Sequence, residues 1–450
     1  MPDTSQLLEI DRRHVVHPLH HVDDHRQAIV VAEGKGAMLY TADGREVIDG
    51  LSGLWNVNIG HGRKELADAA SAQMQRLAFA SAYIGATNEP AVRLAERLVK
   101  LAFPSSSAVY FTTAGAESNE SAFKFARYYW KVKGKPEKTK IISRIHGYHG
   151  VTIAAMSATG MAVYHKMFGP LVPGFIQVQP PYPYRWTGNV DPGIGAAEAV
   201  EKQIVAEGAD TVAAVIAEPV MGAGGVIVPP DTYFPKLREI CDKHGVLLIA
   251  DEVITGFGRT GRWFALGRWG VEPDLVSFAK GVTSAYLPLG GVIVSKRVHE
   301  ALTAAPADQK FMHAATYSGH PVCCAVGLAN IDIMEKDGLA ERAGVMGKRL
   351  LDGLEGLRDL AEVGDVRGLG MMCGVELVAD RGTKKPALGF GGRVAREALA
   401  RGLLLRIRAG SGAEPLIGDT ICLAPPLMTP EHVLDRIVET VRAAIVAARV

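Results

Sequence analysis

At 450 residues, 48% hydrophobic and 22% charged, the chain can bury one large core or two moderate ones and is too long for a single compact module. Its 49 basic and 48 acidic side chains leave a formal net charge of +1. With no polybasic block or acidic tail, neither nucleic acid nor an anionic membrane is indicated as a partner. The 5 cysteines are odd in number and form no C-x-x-C pair, which fits a reducing compartment. The polar, acidic N-terminus does not read as a signal peptide, and no apolar run reaches spanning length, so the expectation is a cytoplasmic protein.

Along the chain, "GAMLYTADGREVIDG" alternates and turns at Asp43-Gly44, predicting a short hairpin in an N-terminal segment. From about residue 61 the pattern changes. Helices read at "RKELADAASAQMQRL" and "NEPAVRLAERLVKLA", then strand "AVYFTT" and helix "ESNESAFKFARYYW". Further strands read at "KIISR", "VAAVIAE", "GVLLIADEV", "LVSFAK" and "GGVIVS", with helix "DTYFPKLREICDKHG" between two of them. Apolar strands alternating with helices predict an α/β fold with a mainly parallel sheet covered on both faces. Beyond about residue 330 the pattern predicts a smaller α+β unit shared with the N-terminal segment. The expected division is 1–60, 61–330 and 331–450.

The stretch "DEVITGFGRTGRWFA" contains Gly256-x-Gly258-x-x-Gly261, the spacing of a dinucleotide loop. Its context argues otherwise. Asp251 and Glu252 separate the strand from the glycines, Arg262-Trp263-Phe264 is a poor close-packing helix start, and the acid expected about 20 positions on is missing. A nicotinamide-dependent dehydrogenase is therefore disfavoured. Asp251 has a better partner in Lys280, at the end of "PDLVSFAKG". Neighbouring parallel strands open their carboxyl ends on one crevice, so the two can share a site. A lone strand-tip acid is more often a structural charge. An acid and an amine together suit pyridoxal phosphate (PLP), which needs a Schiff-base amine and an acid at its ring nitrogen. Gly115, opening the helix after "AVYFTT", can offer N–H groups to a phosphate, and Tyr148 in "HGYHG" can cover a ring.

Together these residues resemble the class III, ω-amino-acid branch of the PLP-dependent aminotransferases, which has the type I aspartate-aminotransferase fold. The likeness runs from "GLWNVNIGHGRKE" to "DTICLAPPL", and its most specific part is "LLIADEVITGFGRTGRWFA" followed by "PDLVSFAKG". The resemblance implies that Lys280 carries PLP, Asp251 pairs with the ring nitrogen, Val253 packs on one face and Tyr148 on the other. It implies that Gly115 and Ala116 donate N–H groups to the phosphate and that Glu218 is an active-site acid. Thr316 would reach the phosphate of a neighbouring subunit's cofactor, making a homodimer, or a tetramer containing it, necessary for activity. Trp55, Tyr83 and Ala223 would line the substrate pocket. Arg408, with Arg406 close behind, would bind a substrate carboxylate.

The implied reaction moves an amino group from an ω-amino acid or primary amine to pyruvate, giving alanine. The competing readings are a 2-oxoglutarate-dependent aminotransferase, an aminomutase or decarboxylase, and a non-catalytic PLP-binding protein. Ala114 and Ala116 stand where the family commonly has hydroxyls, which leads us to expect easier cofactor loss. His14, His17, His20, His21 and His25 crowd the N-terminus without the Cys or ordered acids of a metal site, so no metal is expected and an arm over the active site is preferred.

Overall fold

The computed structural model describes residues 4–19, 21, 23, 28–411 and 416–449, so His20 and His25 lie outside the described residues. A seven-stranded sheet organises the molecule, in the spatial order Ser106–Thr112, Gly290–Ser295, Leu275–Phe278, Leu247–Asp251, Val212–Ala217, Lys140–Arg144, Phe175–Val178. Gly290–Ser295 runs antiparallel to both neighbours, and every other adjacent pair is parallel. The four strands Val212–Ala217, Leu247–Asp251, Leu275–Phe278 and Gly290–Ser295 are buried at every position, as a sheet covered by helices on both faces requires. The antiparallel strand fits between its neighbours because it begins with glycine. A Cβ on Gly291 would stand 2.5 Å from the Tyr110 carbonyl oxygen and 2.6 Å from the Phe278 ring.

Helix Gly115–Val132 covers one face of this sheet, burying Ala122, Phe123, Phe125, Ala126, Tyr129 and Trp130 at helical spacing. At its start Ala114 is extended and supplies no side-chain cap. Instead the Thr113 N–H and hydroxyl donate to the Glu117 carboxylate at 2.7 and 2.8 Å. Helix Tyr233–Lys243 fills the connection before Leu247–Asp251, and Gly245 follows it with φ +56°.

The two ends of the chain meet. Strands Val31–Lys35, Met38–Thr41 and Glu46–Asp49 form an antiparallel meander, with the expected turn marked by Gly44 at φ +85°. Glu46–Asp49 then pairs in parallel with Leu403–Leu404. A second antiparallel sheet, Val363–Gly368, Cys373–Asp380, Thr420–Leu423 and Arg406–Arg408, completes this smaller α+β part with helices Leu339–Glu355, Phe390–Ala400 and Glu431–Ala447. Strand Phe175–Val178 and helices Pro192–Glu207, Lys296–Thr303 and Pro321–Lys336 are additional to the elements read from sequence. The outward face of Pro321–Lys336 carries Ala325, Leu328 and Ala329 before Asp332, Glu335 and Lys336, so its polar stripe is confined to the C-terminal turns and the helical period is weak in sequence. Among the described residues no helix is long and apolar enough to cross a membrane.

The glycine-rich stretch is a packing loop. Gly258 and Gly261 have φ of +83° and +91°, and a Cβ on Gly261 would lie 3.1 Å from the Gly344 Cα of helix Leu339–Glu355. No helix begins here to meet a pyrophosphate. Between the glycines, buried Arg259 donates to the Pro425 carbonyl at 2.6 Å, Asn58 Oδ1 at 2.7 Å and Ser52 Oγ at 3.0 Å. One guanidinium thus ties the loop to both ends of the chain.

Candidate active site

Leu247–Asp251 and Leu275–Phe278 pair in parallel with Asp251 opposite Ser277. The Glu252 N–H continues the ladder to the Ser277 carbonyl at 2.9 Å. Asp251 therefore stands at the carboxyl edge, and Lys280 follows three residues after its register partner. Lys280 has φ +51° and opens a short turn, Lys280–Val282. Asn330 Nδ2 holds this turn by donating to the carbonyls of Gly281 and Val282 at 2.9 and 3.1 Å. Both side chains line one cavity of about 310 Å³, within the size range of small-ligand sites. Burial pushes the Lys280 amine down to about 8; Arg406 adds to that shift, while Asp251 and Glu218 oppose it.

Three donors meet the Asp251 carboxylate. Asn119 Nδ2 and His149 Nδ1 both lie 2.8 Å from Oδ2, and the Val253 N–H lies 3.1 Å from Oδ1. Neither Asn119 nor His149 was singled out from sequence. The available signal was polarity: Ser118, Asn119 and Ser121 are buried together with the apolar face of the helix, where polar groups need partners.

Gly115, Ala116, Tyr148, Glu218, Val253, Ala223 and Trp55 all line the same cavity. Val253 presses on the helix start, since a Cβ on Gly115 would be 2.7 Å from Val253 Cγ1. The first turn of that helix leaves N–H groups without intrahelical acceptors, and Gly115 and Ala116, which open it, line the cavity. Glu218 is buried, and its two oxygens accept the Tyr148 and Gly222 N–H groups, each at 3.0 Å. Burial pushes its carboxyl above the ordinary range. Trp55 is 1% exposed and ends a strained turn in which Ser52, Gly53 and Trp55 all have positive φ. The Arg259 bonds to Ser52 and Asn58 bracket that turn. Leu19, Leu54, Tyr164 and Ile254 also line the cavity and were not anticipated. The Tyr148 and Tyr164 rings lie 5.5 Å apart.

Three anticipated residues are elsewhere. Tyr83 and Thr316 do not line this cavity; Tyr83 is 62% exposed, and Thr316 is also at the surface. Arg408, preferred as the carboxylate-binding arginine, is buried against His146, whose Nδ1 lies 3.2 Å from Arg408 Nη2. Arg406 is the arginine that lines the cavity. The reason is position along one short strand. Arg406 and Arg408 lie two residues, about 6–7 Å, apart along Arg406–Arg408, and only the first meets the cavity.

The sequence matches the family Aminotransferase class-III over residues 20–445. The chain belongs to the class-III aminotransferases. It is 40% identical over 425 residues to the putrescine–pyruvate aminotransferase of Pseudomonas aeruginosa, covering 92% of this chain and 90% of that one. Among solved structures, it is similar to a thermostable (S)-enantioselective ω-transaminase from Thermomicrobium roseum, with a TM-score of 0.94, 44% identity and coverage of 100% and 99%. A PLP-bound amine transaminase from an uncultivated Pseudomonas species matches with a TM-score of 0.92, 39% identity and coverage of 97% and 99%. The fold is PLP-dependent transferase type I, and this class-III aminotransferase is a PLP-dependent enzyme.

Proposed function

We propose that this aminotransferase moves an amino group from a primary amine or ω-amino acid to pyruvate, and that Lys280 and Asp251 are its catalytic pair. The observation that carries the reading is the meeting of a desolvated amine and a three-donor carboxylate on one cavity wall, from adjacent strand ends. The residues fit PLP. The helix start at Gly115 and Ala116 suits the phosphate, Val253 and Tyr148 suit the two ring faces, and Glu218 stands beside Tyr148. The relative that acts on pyruvate supports the acceptor. Trp55, Ala223 and Tyr148 line the donor pocket, and Arg406 is the better candidate for a substrate carboxylate.

When bound, PLP supplies an electron-withdrawing ring that stabilises the carbanion left as the donor carbon loses its proton. Lys280 would hold the cofactor through Nζ and, as a free amine, would accept the donor carbon's proton on Nζ and return it within the same site. A pKa near 8 leaves a useful fraction of the amine unprotonated at neutral pH. Asp251 would hold a proton on the ring nitrogen, and the apolar part of the wall would limit access of water. In the second half-reaction the same groups work in reverse on pyruvate.

The reading includes a homodimer. Phe79, Tyr83, Ile84, Met312 and Tyr317 are exposed apolar side chains, and the Phe79 and Tyr317 rings are 6.0 Å apart, so Tyr83 and Thr316 belong to a face suited to a second copy. Residues 61–330 then form the PLP-binding domain, with 1–60 and 331–450 in the smaller one. Five buried free cysteines support a cytoplasmic setting. The test is a donor panel of putrescine, β-alanine, 4-aminobutyrate, taurine and 1-phenylethylamine, each with pyruvate or 2-oxoglutarate. Alanine formation with at least one donor is expected. Glutamate as the main product would overturn the acceptor, and absence of both products would overturn the enzyme reading.

A further inference from the structure

Asp251 can serve a ring nitrogen only if its carboxylate is held at one angle, and the structure contains a device for doing so. Oδ2 is occupied by two side-chain donors, Asn119 Nδ2 and His149 Nδ1, at 2.8 Å each. Oδ1 receives one backbone donor, the Val253 N–H, and keeps acceptor capacity, while Asp251 as a residue lines the cavity. The donors are themselves fixed. Asn119 Nδ2 also donates to the His149 carbonyl at 2.8 Å, so one amide bridges the histidine backbone and the acid. The His149 N–H donates to Thr159 Oγ1, and that hydroxyl donates to the Gly150 carbonyl, both at 2.9 Å. Because an ionised carboxylate only accepts, the hydrogen on His149 is assigned to Nδ1. Nε2 is buried and has no hydrogen-bond partner. With Nδ1 committed to Asp251 and Nε2 without a partner, the ring acts here through its contact with the acid.

We propose that His149 and Asn119 are positioning residues that occupy one oxygen of Asp251 so that the other is presented to the cofactor ring nitrogen at a constant angle. The inference rests on the reading of Lys280 and Asp251 given above. The arrangement has the logic of an oriented acid–base pair, in which a residue remote from the reacting atoms sets the geometry of one that touches them. Asn119 sits one turn after Gly115 on the same helix. That helix therefore registers the phosphate end of the site and the Asp251 end together.

The test uses holoenzyme reconstituted with PLP labelled with ¹⁵N in the ring, and reads the ring-nitrogen chemical shift alongside steady-state kinetics. For His149→Leu the signal is expected to move from the protonated towards the unprotonated pyridine value, with kcat about 10- to 100-fold lower and the pyruvate KM within about threefold. His149→Asn, whose Nδ2 can take the place of Nδ1–H, is expected to restore most of both. Asn119→Ala should shift the signal in the same direction by less, and it stands in if His149→Leu does not fold. An unmoved ring signal in Asn119→Ala and in any folded His149→Leu overturns the proposal. So does His149→Asn as impaired as His149→Leu, since ring volume and not the donor would then matter. If the parent enzyme neither binds PLP nor transaminates, the catalytic reading fails and this inference goes with it. If the parent works and the variants match it, only this inference fails.

Discussion

The carboxyl edge of the central sheet and the face around Tyr83 and Thr316 make an instructive contrast. At the sheet edge, Asp251 and Lys280 come from adjacent strands with fixed register, and their partners Asn119, His149 and Asn330 are all in the same chain. All of these contacts lie within one chain. Around Tyr83 and Thr316 the chain presents polar and apolar groups to the surface, with Ile84 81% and Met312 79% exposed. A buried amine has its surroundings fixed within the chain, whereas an exposed aromatic face is open to solvent. The first region is organised by hydrogen-bonded strands, and the second would gain partners only in the proposed homodimer.

The sharpest way to break the contrast is to disable the self-contained half. Lys280→Ala is expected to lower kcat by on the order of 10⁴-fold or more, with the dimer intact by light scattering. Retained activity would show that the sheet edge is not the reaction centre. Next is the other half. Ile84→Asp combined with Met312→Asp is expected to yield monomers of 48.0 kDa and to cost at least about tenfold in activity, because neither subunit could complete its partner's site. A fully active monomer would mean that one chain suffices.

The two arginines sharpen the comparison within the cavity. Arg406→Ala should raise the pyruvate KM by about 10- to 100-fold, the size of one lost charge-assisted pair, while sparing turnover of uncharged amines. Arg408→Ala should leave KM unchanged and lower stability by about 2 kcal/mol, through the lost buried bonding around His146, measured by denaturant unfolding. Reversed results would return the role to Arg408. The mildest effect concerns pH. The unprotonated amine is the form that captures PLP, so the capture rate by apoenzyme should rise about tenfold per pH unit and level off near pH 8. A rise continuing to 10.5, the ordinary lysine value, would mean that Lys280 is not desolvated.

Much of the central sheet could be read directly, because strands such as "VAAVIAE" and "GVLLIADEV" are continuous apolar runs between helix and turn signals. Helix Pro321–Lys336 escaped because its outward face begins with Ala325, Leu328 and Ala329, leaving polar residues only towards its end and no clear amphipathic period. At the site, the Asp251–Lys280 pair was legible because adjacent parallel strands impose proximity whatever packs around them. Asn119 and His149 were not, because the bonds that single them out join residues 132 and 102 positions away from them in sequence. Arg406 and Arg408 differ by two positions in a short strand, and only the location of the cavity separates them.

By itself, then, the order of residues determined the class of fold, the strand tips that carry acid and amine, and the failure of the glycine spacing as a nucleotide loop. These follow from local hydrophobic period and from the residues flanking each strand. Tertiary structure decided which arginine reaches the cavity, that Arg259 fastens the glycine loop to both ends of the chain, and which donors grip Asp251. Such choices depend on hydrogen bonds between side chains far apart in sequence, and no local pattern encodes their partners.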